Sequence, residues 1–167
     1  MRQFTITFLA IFMLHANYKI VSQDAKFQSL IVYNLTKLLD WPNKTGNFTV
    51  RIIGNSDLVK ELKEFTNERK AGGVQNFDIQ KTEISSIDQC NMLFIGASEC
   101  GNLDQIIKTV GAKPILIVTE KADLTPKGAA ISLIKDEGVW KFQYKEDNIK
   151  KLGIKVSMDF KELGIAK

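Results

Sequence analysis

Two stretches narrow what this chain can fold into more than any other feature. The run from Asn91 to Gly96 is apolar throughout Met92-Leu93-Phe94-Ile95, and Ile115-Leu116-Ile117-Val118 contains no polar residue at all. A strand with one wet face alternates apolar and polar residues; one of this length without alternation is covered on both faces. Helices must therefore lie on each side of a sheet. The rest of the chain supplies them. Residues 25–40 place Phe27, Leu30, Ile31, Leu35 and Leu38 at three- and four-residue steps, which predicts an amphipathic helix with Asp24 as its N-cap and Pro42 as its stop. Phe48 to Ile53 is a β-branched strand closed by Gly54-Asn55-Ser56. A helix over 57–67 follows, with Leu58, Leu62 and Phe65 on one face. Gly72-Gly73 turns the chain into a half-buried strand at Phe77 and Ile79, and a helix over 103–110 separates the two apolar runs. Residues 130–134 and 139–144, joined by Asp136-Glu137-Gly138, read as a hairpin with Trp140, Phe142 and Tyr144 on one face. Two short helices, over 146–152 and 157–163, close the chain. The expectation is an α/β fold: a mostly parallel sheet flanked by helices, with an antiparallel C-terminal hairpin, in a single compact domain.

The N-terminus does not belong to this pattern. Arg2 precedes an apolar run over residues 4–14, interrupted only by Thr5 and Thr7. A membrane-spanning helix needs roughly 20 apolar residues, whereas a run near half that length suits the core of a secretory signal. Residues 1–23 are therefore expected to be a signal peptide, cut after Gln23 or as early as Ala16, leaving 24–167 as an exported, periplasmic domain. Arg2 and Lys19 leave with the signal, so the remaining 144 residues carry 21 basic against 19 acidic groups, net +2. The two signs are interspersed and only Arg51 and Arg69 remain as arginines. Nucleic acids and anionic membranes call for a one-signed patch, so neither is an expected partner.

Chemistry is constrained by what is missing. The single histidine, His15, lies in the signal, so the domain has none. That removes histidine-based triads, most catalytic zinc sites and histidine pH sensing. No enzyme, cofactor or metal site is expected. Gly54-Asn55-Ser56 and Gly96-Ala97-Ser98 each follow a strand and precede a helix, where open α/β sheets hold ligands. Asn55, Ser56 and Ser98 are thus the ligand-binding candidates, with Ser56 also readable as a plain helix cap. Cys90 and Cys100 flank the 91–96 strand, whose extended length of roughly 20 Å exceeds the roughly 7 Å that a disulfide spans between Cα atoms. Both are expected free, with a bridge between molecules through Cys100 as the alternative. Trp41, Trp140 and Tyr144 are the aromatic candidates for a partner-binding anchor, each with core packing as its plainer role.

Several segments, taken in order, resemble the YfiR/HmsC-like family of bacterial periplasmic proteins. They are Tyr33-Asn34-Leu35-Thr36-Lys37 running into Asp40-Trp41-Pro42, then Val50-Arg51-Ile52-Ile53-Gly54-Asn55-Ser56, then Cys90 to Ile95 and Lys113 to Val118. The last is Lys141-Phe142 continuing to Lys151-Leu152-Gly153-Ile154-Lys155-Val156-Ser157, and together they cover residues 25–163. Two departures stand in the closing stretch: Gln143-Tyr144-Lys145 in place of Glu-Ile-Asn, and Met158 in place of a second serine. The resemblance implies a compact α/β fold and a periplasmic repressor that binds the sensor domain of a membrane-bound diguanylate cyclase. Release of such a repressor raises cyclic-di-GMP and favours biofilm formation. It also implies that Cys90 matches a family cysteine, whose usual partner has no counterpart here. Two functional readings follow: restraint of a membrane signalling enzyme by protein–protein contact, or a small-ligand-binding domain feeding a sensor or transporter.

Overall fold

The computed structural model describes residues 23–167. The signal-peptide expectation lies outside the described residues except at Gln23, which is helical. No helix among the described residues is long and apolar enough to cross a membrane.

Helix α1 (23–38) runs into a two-residue strand β1 (Leu39–Asp40), followed by β2 (Phe48–Ile53), α2 (Ser56–Thr66) and β3 (Phe77–Lys81). Then come β4 (Met92–Ile95), α3 (Leu103–Val110), β5 (Leu116–Thr119), β6 (Ile131–Asp136) and β7 (Val139–Tyr144). The tail adds α4 (Glu146–Lys150), β8 (Lys155–Val156), α5 (Met158–Leu163) and β9 (Ile165–Ala166). The main sheet has the order β3-β2-β4-β5-β6-β7-β9; its first five strands are parallel, β7 is antiparallel to β6, and β9 runs parallel to β7. The mostly parallel sheet, flanking helices and antiparallel hairpin are as the sequence implies. The two apolar runs sit at the sheet's centre. Met92, Phe94, Leu116 and Val118 face the larger core beneath α1, α2, α4 and α5. Leu93, Ile95, Ile115 and Ile117 face a second core against α3.

Four expectations need correcting. Asp24 lies within α1 and does not cap it, and the helix ends at Leu38, before Pro42 could act, because Leu39 and Asp40 pair with Val156 and Lys155. The buried stripe of α1 is also turned. Ala25, Gln28, Ser29, Val32, Leu35 and Thr36 are buried, whereas Phe27 and Leu30 keep 45% and 42% of their surface exposed. Ser56 is not a cap: Asn55 fills that position, its Oδ1 accepting from Leu58 N at 2.9 Å. Beyond the expected elements, β9 pairs with the far end of β7 at Gln143 and Tyr144, so the hairpin is only partly an open edge.

Candidate functional site

From β2 the chain turns outward through α2 to β3; from β4 it turns the opposite way through α3 to β5. The loops leaving β2 and β4 therefore part at a topological switch point, the position at which doubly wound sheets take their ligands. Here the loops touch. A Cβ on Gly96 would stand 2.6 Å from the Gly54 carbonyl oxygen, so only glycine permits that approach. Gly54 adopts φ +72°, and a Cβ there would meet Glu99 Cγ at 2.6 Å. Ser98 Oγ donates to Gly54 O at 3.2 Å and adds a polar tie between the loops.

The crevice beneath these loops is filled by the chain itself. Glu120, just past β5, sends its carboxylate into it. Oε2 accepts from Ala97 N at 2.9 Å and from Asn55 Nδ2 at 3.1 Å, and Oε1 accepts from Gln28 Nε2 at 2.7 Å. Asn55 Nδ2 also donates to Gln28 Oε1 at 3.2 Å. Gln28 is 1% exposed, so α1 is pinned across the carboxyl ends of the strands by a fully buried amide. A carboxylate of the chain itself thus occupies the place, between the loop amide of Ala97 and the Asn55 cap of α2, where a doubly wound sheet takes its ligand. Of the three ligand candidates, Asn55 is committed to this closure, Ser98 to the loop contact, and Ser56 lies exposed on the first turn of α2. Gln28 and Glu120 were not expected from the sequence. The strand-end rule applied to β5, as to β2 and β4, would have reached Glu120.

The aromatic candidates do not gather. Trp41 is 6% exposed, stands edge-on to Phe48 at 4.7 Å, and donates from Nε1 to Leu35 O at 3.3 Å. Tyr144 is 4% exposed and packs on Phe160 at 4.9 Å. Both are core residues with little surface to offer a partner. Trp140 is half-buried; its Nε1 donates to Asp24 Oδ1 at 3.1 Å, the oxygen that also accepts from Lys135 Nζ at 2.7 Å. That contact clasps the hairpin to the start of α1.

Cys90 and Cys100 are free and buried, both in the core beneath α3. Burial pushes the Cys90 thiol up to about 12 and raises that of Cys100 as well. Neither is a nucleophile at neutral pH, and burial of Cys100 sets it back from the surface where a bridge between molecules would form. Arg51 is also nearly buried. Burial opposes its charge, but Asp88, bonded at 3.0 and 3.2 Å, and Asp78, at 3.1 Å, outweigh that and hold its pKa above the ordinary value.

What the turned stripe of α1 leaves outside is a groove of about 600 Å³ between α1 and α2. Phe27, Leu30 and Phe65 make its apolar wall, and Lys26, Glu61 and Glu64 stand at its sides. Tyr33 braces Phe65 edge-on at 5.5 Å. Ser29 also lines the groove, and its buried Oγ has no hydrogen-bond partner among the described residues.

Among solved structures, the chain is similar to the ABC domain in complex with L-Trp from Streptococcus pneumonia. The TM-score is 0.61 at 12% identity, over 85% of this chain and 59% of that one. At that identity the likeness is one of fold, and the chain spans little more than half of that relative. No curated protein matches it in sequence. Residues 25–164 match the model of the YfiR/HmsC-like family, periplasmic regulators that act through a partner protein, and the chain belongs to that family.

Proposed function

We propose that this protein restrains a membrane-bound signalling enzyme of the diguanylate cyclase type by direct contact in the periplasm, through the groove between α1 and α2. The observation that carries this reading is the inversion of α1, which buries Gln28 and Ser29 and leaves Phe27 and Leu30 exposed. A helix ordinarily does the opposite, because exposing large apolar groups costs free energy and burying polar ones costs more. Clustered exposed apolar side chains rimmed by charge have the composition of a binding anchor. The alternative, a small-ligand site at Asn55, Ser56 and Ser98, has less support, because Glu120 already fills that crevice.

Deletion of the gene should raise cyclic-di-GMP in the native host. The mature protein should bind the periplasmic domain of a membrane cyclase, and Phe27→Gln with Leu30→Gln should weaken that binding. Unchanged signalling on deletion, with no membrane protein recovered on capture, would overturn this reading and favour the ligand site.

A further inference from the structure

The sheet has one edge that is long and regular. Among the described residues, β3 has a neighbour on one side only, β2. Phe48 N donates to Asn76 O at 2.7 Å and Thr82 N donates to Ile52 O at 3.0 Å, so the even-numbered residues of β3 spend their backbone groups on β2. In a parallel ladder the alternate residues point the other way. The amides and carbonyls of Phe77, Ile79 and Lys81 therefore face outward. Natural edges are usually blunted by proline, a bulge, an inward-pointing charge or a covering loop. β3, Phe-Asp-Ile-Gln-Lys, has no proline, and its register with β2 runs residue for residue without a bulge; its charges are Lys81 at the end of the strand and Asp78, which is paired with Arg51.

A groove of about 840 Å³ runs beside this edge, between the end of α2 and β3. Its charge is lopsided. Lys63, Arg69 and Lys70 are all exposed in its wall, opposed by Glu68 and Asp78. Asp78 is already committed: Oδ2 accepts from Arg51 at 3.1 Å and Oδ1 from Gln80 at 2.8 Å. Lys70 donates to Asn76 Oδ1, and Arg69 donates to Phe65 O and stacks on the Phe65 ring at 4.2 Å; held so in the wall, the two stand with Lys63 against one uncommitted carboxylate, beside backbone groups that no strand among the described residues pairs.

We infer that the β3 edge is a docking surface for an extended acidic segment of a partner protein, which adds to the sheet as an eighth strand. Backbone hydrogen bonds to Phe77, Ile79 and Lys81 supply the register, and Lys63, Arg69 and Lys70 select for acidic side chains. Arg69, stacked on the Phe65 ring at 4.2 Å, joins this surface to the α1–α2 groove, so a segment added at β3 extends the contact proposed there and rests on the same partner.

The test uses the purified mature protein and two acetylated seven-residue peptides, one alternating Glu and Val, the other Lys and Val. With the acidic peptide, the amide resonances of Phe77, Ile79 and Lys81 should shift and their hydrogen exchange should slow roughly tenfold or more. The basic peptide should bind roughly tenfold more weakly or worse, and added salt should weaken the acidic one. Lys81→Pro removes one outward donor without touching the ladder to β2, and should weaken binding about fivefold or more. Lys63→Glu with Lys70→Glu, both on exposed side chains, should reverse the charge preference while leaving the melting curve in place. Shifts confined to the α1–α2 groove, no shift at all, or equal binding of both peptides would overturn the inference.

Discussion

The crevice at the switch point and the groove between α1 and α2 are made by the same helix and are opposite in kind. In the crevice, polar side chains are buried and every donor named above meets an acceptor: Gln28 and Asn55 converge with Ala97 N on the Glu120 carboxylate. In the groove, apolar side chains are left in water, and the buried hydroxyl of Ser29 has no hydrogen-bond partner among the described residues. Helical geometry links the two. Successive residues are separated by about 100° around the axis, so turning Gln28 inward carries Phe27 to the flank and Leu30 to the far side. A buried amide cannot be left unmet without a cost of about 1–3 kcal/mol, and meeting it fixes the rotation of the whole helix. The exposed apolar ridge is therefore the counterpart of a crevice that the chain's own polar side chains fill.

The foot of α1, away from both regions, sets the scale for testing this. Trp41→Ala removes a buried ring and its bond to Leu35, and should cost about 3–5 kcal/mol, read as a shift of the urea midpoint. In the crevice, Glu120→Ala leaves Gln28 Nε2 and Ala97 N without their acceptor and Asn55 Nδ2 with Gln28 Oε1 alone, and should cost about 2–3 kcal/mol. Glu120→Gln, which retains one oxygen, should cost less. A denaturation curve for Glu120→Ala that overlays the wild type would show that the carboxylate does not hold the crevice shut, and would reopen the small-ligand reading.

Much of the fold was legible because it rests on period and run length. The centre of the sheet follows from two runs with no alternation, and Leu103–Val110 appears as a helix with the bounds its pattern predicts. What misled was α1. Its apolar residues do recur at helical spacing, but two buried faces were on offer, and a polar contact 92 residues away, between Gln28 and Glu120, chose between them. No local pattern carries that information. The same holds for β1 and β8, whose pairing joins Leu39 to Val156. A two-residue strand is too short to leave a period. At the site, Asn55 could be placed at a strand end but its role could not, since an asparagine that caps a helix and one that binds a ligand look alike until their partners are known. Trp41 and Tyr144 illustrate the converse: an aromatic residue is visible in sequence, its burial is not.

A smaller effect is expected where α1 meets the hairpin. Trp140→Phe keeps an aromatic ring and removes only the Nε1 donor to Asp24, a bond shared with Lys135 and open in part to water. It should cost about 1 kcal/mol, and amide exchange near the start of α1 should quicken more than exchange in β4. Uniform quickening across the sheet would mean that Trp140 supports the core as a whole and does not merely clasp the helix.

The smallest effect on stability is expected in the groove, and it is the most informative. Phe27→Gln and Leu30→Gln replace side chains that already expose 45% and 42% of their surface. Glutamine favours the helix nearly as well as leucine does, and its stem retains part of the buried contact. Each change should therefore cost about 0.5 kcal/mol of folding free energy, well below Glu120→Ala. If the groove is where the partner docks, the same pair should weaken binding by about 2 kcal/mol or more, because anchor residues concentrate interface energy. Folding and binding would then separate across one helix: substitutions on the Gln28 side lose stability first, and substitutions on the Phe27 side lose the partner first. Should the double variant unfold as readily as Glu120→Ala, Phe27 and Leu30 are supporting the fold from outside and the groove is not a docking surface. Should it fold normally and bind the sensor domain at full strength, the groove is accessible but unused, and the contact with the membrane protein lies on another face.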